Sequence, residues 1–295
     1  MNQKRQNLAT IVLLTGLPAL LIRFGIVWET GFDGLYGQDA YYYFEQGREM
    51  ALSWEHRGQD SIGYPALLAL MITAFGLHPE IAQLVGLTMG SLTPVLVSLL
   101  GWVLTKRFAV ALISGLLVGL LPYHIRSSIV IMSDVPALFW LTGGVLCGIR
   151  YLQNPSWKCG LASVVLFTLA TITRYISALA FLPVFAYAVV SGRRPPWRHI
   201  VVGSAVGLLI ALPELQHMEL HIPSLFIAQA WHPINALRSE FVTPDGLLSY
   251  PWPVALMDIR TLGGWSFLNP IWGACSLIGL WVLRKDPPLL AFTGI

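Results

Sequence analysis

Four charged residues stand where so apolar a chain would otherwise avoid charge: Asp39, Arg126, Asp134 and Arg174. Asp39 lies in GFDGLYGQDAYYYFEQGREM, residues 31–50, just after the first long apolar run. It follows Gly37 and precedes a stretch that reads as a helix, which puts it at or near an N-cap, where a carboxylate is favoured. It is either a capping residue or a carboxylate held at a membrane face beside Tyr41, Tyr42 and Tyr43; tyrosines favour the interface in both cases. Asp134 lies in LPYHIRSSIVIMSDVPALFW, between the Pro122 that ends one apolar run and the Pro136 that opens the next, with Ser133 competing for the same N-cap. Arg126, about two helical turns earlier, either snorkels, pairs with an acid or meets a ligand. Arg174 interrupts the apolar TITRYISALAFLPVF. Charge at a membrane helix centre costs roughly 2.5–3.5 kcal/mol, less near an end, so an anion must offset it. A phosphate suits the guanidinium fork; Asp134 is the alternative partner.

The elements that must position these residues follow from composition. The chain is 55% hydrophobic and 11% charged, with a mean hydropathy of +0.65. Soluble domains carry roughly 25% charged residues. With apolar runs about 20 residues long, this predicts an all-α polytopic membrane helix bundle. The net charge of +3 gives no case for a nucleic-acid partner. Apolar segments run over residues 8–28, 62–77, 81–105, 108–122, 135–152, 159–173, 176–191, 199–213 and 266–283, and a last one opens at Leu289. The first is too long for a secretory signal and no small-residue cleavage site follows it, so it reads as a retained span. The sequence stops at Ile295 inside an apolar run, so a C-terminal continuation is expected. The whole reads as one transmembrane domain, 1–295, of about eight spans plus the start of a ninth.

Lys and Arg favour the cytoplasmic side. If 62–77 lies on the outer surface as a membrane-hugging helix, Lys4, Arg5, Lys106, Arg107, Arg150, Lys158, Arg193, Arg194, Arg198, Arg284 and Lys285 all fall inside, 11 of the 18 basic residues. Fourteen of the 15 acids then fall outside, Asp286 being the exception. The shortness of 62–77, with Gly63 and Pro65, suits a non-spanning helix. Three outer segments result: 29–80, 123–134 and 214–265. The third carries Glu214, His217, Glu219, His221, His232, Arg238, Glu240, Asp245, Asp258 and Arg260. His217 and His221 are four apart, as a metal face on a helix would need, but the pattern is not HExxH, and a charged outer loop is the stronger reading. Arg238 and Arg260 are further candidates for a lipid phosphate. Trp54, Trp231, Trp252 and Trp265 suit sugar stacking and interface anchoring equally. Cys147, Cys159 and Cys275 lie in or beside apolar runs with no metal-ligand spacing, as buried small hydrophobes do. Charge gathers at one face, and the span interiors read as clean. That favours a surface-facing enzyme over the alternative, a polytopic transporter or lipid flippase, which places charge near the midplane.

The order of motifs carries a resemblance. GQDAYYYFEQGREM follows the first span; then come GYPALLALMITAFG, VSLLGWVLTKRF with its basic turn, and LLVGLLPYHIRSSIVIMSDVPAL with a Pro, an Arg and an Asp. This order, over roughly residues 8–180, resembles the C-type superfamily of polytopic glycosyltransferases, which includes protein O-mannosyltransferases, aminoarabinose transferases of lipid A and oligosaccharyltransferase catalytic subunits. The resemblance implies a polyprenyl-phosphate-linked sugar as donor, a protein, lipid or glycan acceptor, and inverting transfer on the extracytoplasmic face of a plasma membrane, here expected to be prokaryotic. It implies that the first outer loop supplies a catalytic carboxylate, Asp39, and that the second carries an acidic motif preceded by an Arg, here Asp134 and Arg126. Asp39 is then the base that takes the acceptor proton. Arg126 and Arg174 hold the departing phosphate, and Asp134 orients the acceptor or positions an Arg. Oligosaccharyltransferases use a DxD-like pair with a divalent metal; SDVP has one Asp, so no metal or other cofactor is expected. The likeness is closer to members that take a monosaccharide from a polyprenyl monophosphate.

Overall fold

The architecture comes from a computed structural model, which describes residues 2–56, 58, 61–225, 237–243, 246–253, 256 and 285–293. The expected span 266–283 lies outside the described residues, as do Arg57, Asp60, Trp231, His232, Asp245, Asp258, Arg260, Trp265, Cys275 and Arg284. The chain divides into two compact units, residues 1–214 with 287–295 and residues 215–286.

The helices follow the apolar runs. They are α1 (Asn2–Thr30), α2 (Gly37–Ser53), α3 (Gly63–Phe75), α4 (Pro79–Thr105), α5 (Phe108–Leu120), α6 (Pro122–Ile129), α7 (Asp134–Gln153), α8 (Trp157–Thr173), α9 (Leu182–Val190), α10 (Trp197–Leu225) and α11 (Pro287–Thr293), with a 3-10 stretch, Tyr175–Phe181, between α8 and α9. Four segments are long and apolar enough to cross a membrane: Gln6–Thr30, Pro79–Thr105, Asp134–Gln153 and Trp197–His217. α5 and α6, bent by 55° at their junction, make a fifth if taken as one broken span. The protein is therefore a multi-pass, helical membrane protein. α3 has 13 residues, about 20 Å at 1.5 Å per residue, too short for a hydrocarbon core of about 30 Å. It is too short to cross a membrane by itself. On α1, Leu13, Leu17 and Leu21 are exposed, as lipid-facing side chains are.

In the first unit α4 is the hub, packing on α1, α3, α5, α6 and α7, while α7 pairs with α8 and α2 with α3. Proline at its start suits the missing N–H there, and Glu80 in its first turn suits the helix dipole. At the far end Lys106 turns left-handed at φ 57. Its amide bonds the carbonyl of Trp102 at 2.9 Å, and its ammonium donates to that of Val103 at 2.8 Å, so backbone acceptors at the α4 terminus are satisfied.

Two apolar clusters mark the two ends. Near the start of α4, Ala40 and Phe44 of α2 meet Tyr64, Leu68 and Ile72 of α3, Ala82 and Val85 of α4, and Val130 and Ile131. The buried residues of α2 recur as Ala40, Phe44, Gly47 and Met50, one helical stripe turned to α3, with Asp39, Glu45 and Glu49 on the exposed face. Near the end of α4, Val103 packs with Val145, Leu146, Ile149 and Leu152 of α7 and Tyr187 of α9, with Leu289 and Phe292 of α11 against them.

The second unit contains the end of α10 and an antiparallel hairpin, β1 (Glu240–Thr243) and β2 (Gly246–Ser249), with Glu240 opposite Ser249. Ser249 Oγ donates to Glu240 Oε1 at 3.0 Å. Arg238 and Trp252 are exposed.

Candidate functional site

Asp39 sits in the first turn of α2, close to the N-cap position expected for it but not in it. Tyr36 is the capping residue, and no side-chain bond caps the helix. The Asp39 carboxylate is exposed and has no partner among the described residues. The loop before it is well held. Leu35 N–H donates to Asp33 Oδ1 at 3.0 Å, Ile131 N–H to the Gly34 carbonyl at 3.0 Å, and Gln83 Nε2 to the carbonyls of Phe32 at 3.0 Å and Ile129 at 2.8 Å. The segment after α6 thus carries the loop before α2. Arg126, exposed on α6, has its guanidinium carbon 5.6 Å from the centre of the Tyr36 ring, within cation–π range. No carboxylate partners it among the described residues.

Asp134 is the first residue of α7, and Ser133 occupies the cap position without a capping bond. Both side chains turn elsewhere. Ser133 Oγ donates to the Tyr43 hydroxyl at 3.1 Å, and the Asp134 carboxylate accepts from Arg174 Nη1 in an ion pair. Their side chains are 40% and 42% exposed. An ion pair so open to its surroundings contributes about 0–1 kcal/mol, so it is a poor stability device and leaves most of the five guanidinium donors within a ligand's reach. Tyr43 lies four residues after Asp39, on the same helical face. Through its bond to Ser133 it ties α2 to the residue that precedes Asp134.

A second pair follows directly in the chain, because Tyr175 is the residue after Arg174. Tyr175 hydroxyl donates to Glu214 Oε1, and Ile62 N–H, at the start of α3, donates to Glu214 Oε2 at 2.7 Å. The carboxylate therefore caps α3, and Glu214 is only 3% exposed. α3 docks tightly here. Ser61 Oγ donates to the Thr173 carbonyl at 2.8 Å, and a Cβ on Gly63 would stand 2.5 Å from the carbonyl oxygen of Ile172, so only glycine permits the approach. Tyr64, fully buried, meets Tyr43 edge to face at 5.1 Å between ring centres. Burial first, then the charges of Tyr43 and Asp134, push its hydroxyl well above the ordinary tyrosine pKa.

All four expected residues therefore lie at one end of the first unit. Lys106 lies at the other: Gln153, the last residue of α7, donates to Val103 at 3.3 Å, and the 20 residues of α7 rise about 30 Å. Glu214, Tyr175 and Tyr64 belong to the same end and were not singled out in the sequence. Glu214 was one acid among several in the third outer segment. The expectation of clean span interiors fails at Arg23, fully buried inside α1; a basic residue in the first apolar run was the available signal. His217 is buried, while the side chain of His221 lies outside the described residues. Among the described residues no three His, Cys, Asp or Glu side chains are grouped to hold a metal ion.

A family model described as dolichyl-phosphate-mannose-protein mannosyltransferase matches residues 81–230 of the 295. Together with the helical bundle it defines the class: a multi-pass membrane enzyme of the C-type glycosyltransferase superfamily, as the motif order implied. The chain belongs to the family of dolichyl-phosphate-mannose-protein mannosyltransferases. It is a glycosyltransferase of the mannosyltransferase type, and its family draws on polyprenyl-phosphate-linked sugars. Arg126, Asp134, Arg174 and Glu214 lie within the matched residues; Asp39 precedes them. No curated protein and no solved structure matches the chain.

Proposed function

We propose that the protein transfers a hexose or pentose, with inversion, from a polyprenyl-phosphate donor to an acceptor hydroxyl on the extracytoplasmic face of a prokaryotic plasma membrane. The carrying observation is the half-exposed Asp134–Arg174 pair at the same end as the Asp39 carboxylate, which has no partner among the described residues. The charge distribution supports the sidedness, because the basic turns at Lys106 and Arg193 lie at the opposite end.

Asp39 takes the proton from the acceptor hydroxyl as its oxygen bonds to the anomeric carbon. The carbon–oxygen bond to the phosphate breaks, and the electron pair leaves with polyprenyl phosphate. Arg174 and Arg126 hold the charge that grows on that phosphate. Asp134 keeps the Arg174 fork in place, a positioning role the ion pair supports. The lipid tail stays in the leaflet, so the leaving group is anchored at the level of these residues. With phosphate charge met by arginine, chelation by EDTA is expected to leave the rate unchanged.

The test is transfer from a labelled polyprenyl-phosphate sugar by the purified protein in detergent, with the anomeric configuration of the product read by NMR. Inverted product supports the reading. Retained configuration, or flux of the lipid in proteoliposomes without any transfer, overturns it.

A further inference from the structure

Arg23 is the largest fully buried side chain among the described residues, and it lies inside the membrane-length part of α1. It makes three hydrogen bonds among the described residues: Nη1 donates to the carbonyls of Ala19 at 2.9 Å and Gly119 at 3.2 Å, and Nε donates to Ser128 Oγ at 3.1 Å. Nη2 is buried without a hydrogen-bond partner among the described residues. Among the described residues no carboxylate shares its hydrogen bonds. A cation kept at such cost is explained by what it holds. Gly119 lies in the last turn of α5 and Ser128 in the last turn of α6, on the two sides of the 55° break. A break of this kind leaves carbonyls of the preceding turn without helical donors, and Arg23 supplies one to Gly119. Ser128 Oγ in turn donates to the His124 carbonyl, so the guanidinium grips α6 through that hydroxyl.

The seat of α6 is equally specific. A Cβ on Gly90 of α4 would stand 2.2 Å from Ser128 Oγ, and one on Gly86 would stand 2.7 Å from the Ser128 carbonyl oxygen. α6 therefore lies in a groove that only glycine leaves open on α4. Between His124 and Ser128, α6 carries Arg126. We propose that Arg23 is a positioning residue of the transfer reaction: by clasping Gly119 and Ser128 it fixes the bend between α5 and α6 that presents Arg126 to the donor phosphate. This rests on the phosphate-holding role proposed for Arg126.

The experiment uses the full chain in lipid nanodiscs, with native cysteines replaced by serine and spin labels on Ile113→Cys and Tyr123→Cys, both exposed positions. Arg23→Met and Ser128→Ala are compared with the parent. Ser128→Ala keeps the bond to Gly119 and so tests the clasp even if Arg23→Met does not fold. Expected are a broadened distance distribution across the break and a donor KM raised about tenfold with little change in kcat, the size of one charge-assisted hydrogen bond. Adding Arg126→Ala is expected to raise KM no further, as for residues acting through one contact. An unmoved distribution in the variants, with KM raised only by Arg126→Ala, overturns the clasp and leaves the proposed function standing. A broadened distribution with KM unmoved by Arg126→Ala retires Arg126 as phosphate holder and overturns the positioning role of Arg23, leaving the clasp as a purely structural contact.

Discussion

At the Asp134 end of α7, Arg174 meets a carboxylate; at the Gln153 end, Arg193 Nη1 meets the carbonyls of Leu152 at 2.8 Å and Gln153 at 3.0 Å. The second arrangement does what a cation at a helix C-terminus does anywhere: it satisfies orphan acceptors and complements the dipole. Lys106 does the same for α4. The first goes beyond helix chemistry. Arg174 lies next to the Tyr175–Glu214 pair, and Asp134 lies next to the Ser133–Tyr43 bond. Guanidinium, carboxylate and phenol groups from α2, α7, α10 and the residues just after α8 meet there. One end of the bundle is closed by ordinary capping, and the other gathers acids and arginines that capping does not need.

That contrast orders the expected effects. Asp39→Asn should lower transfer by about 10²–10⁴-fold, the span of a lost general base, with membrane expression unchanged; near-normal turnover in the labelled-donor assay sinks the base role. Arg174→Ala should raise donor KM about 10–100-fold, as loss of a charged hydrogen-bonding partner does, and Arg174→Lys should recover little because it lacks the planar fork. An unmoved KM would make the pair purely structural. Glu214→Ala strips the partner from the Tyr175 hydroxyl and the Ile62 amide, a loss of about 1–3 kcal/mol that thermal unfolding in detergent should register. Arg193→Ala, at the capped end, should leave kinetics alone and change stability by less than about 1 kcal/mol. A kinetic defect there as large as that of Arg174→Ala would erase the difference between the ends.

Much of this was legible along the chain. Apolar run lengths placed the described helices, and the shortness of 62–77 marked α3 as unable to span. Asp39, Arg126, Asp134 and Arg174 stood out because charge in an apolar chain is costly and needs a reason. Glu214 was not legible in the same way. Its partners are Ile62, 152 residues away, and Tyr175, 39 residues away, and nothing local separates it from the other acids around it. Arg23 is visible in the sequence but not conspicuous there, because a single charge does little to the apolarity of a long run. Its reason lies across the bundle at residues 119 and 128.

The sequence by itself determined that this is a helical membrane protein, where its helices run, and which residues carry charge out of place, because hydropathy and helix length are local properties of a chain. Only the tertiary structure decided which charges meet: that Asp134 holds Arg174, that Arg126 lies over Tyr36, and that Glu214 caps α3. Pairing depends on which helix ends are brought side by side, and that is settled by packing between segments far apart in the chain.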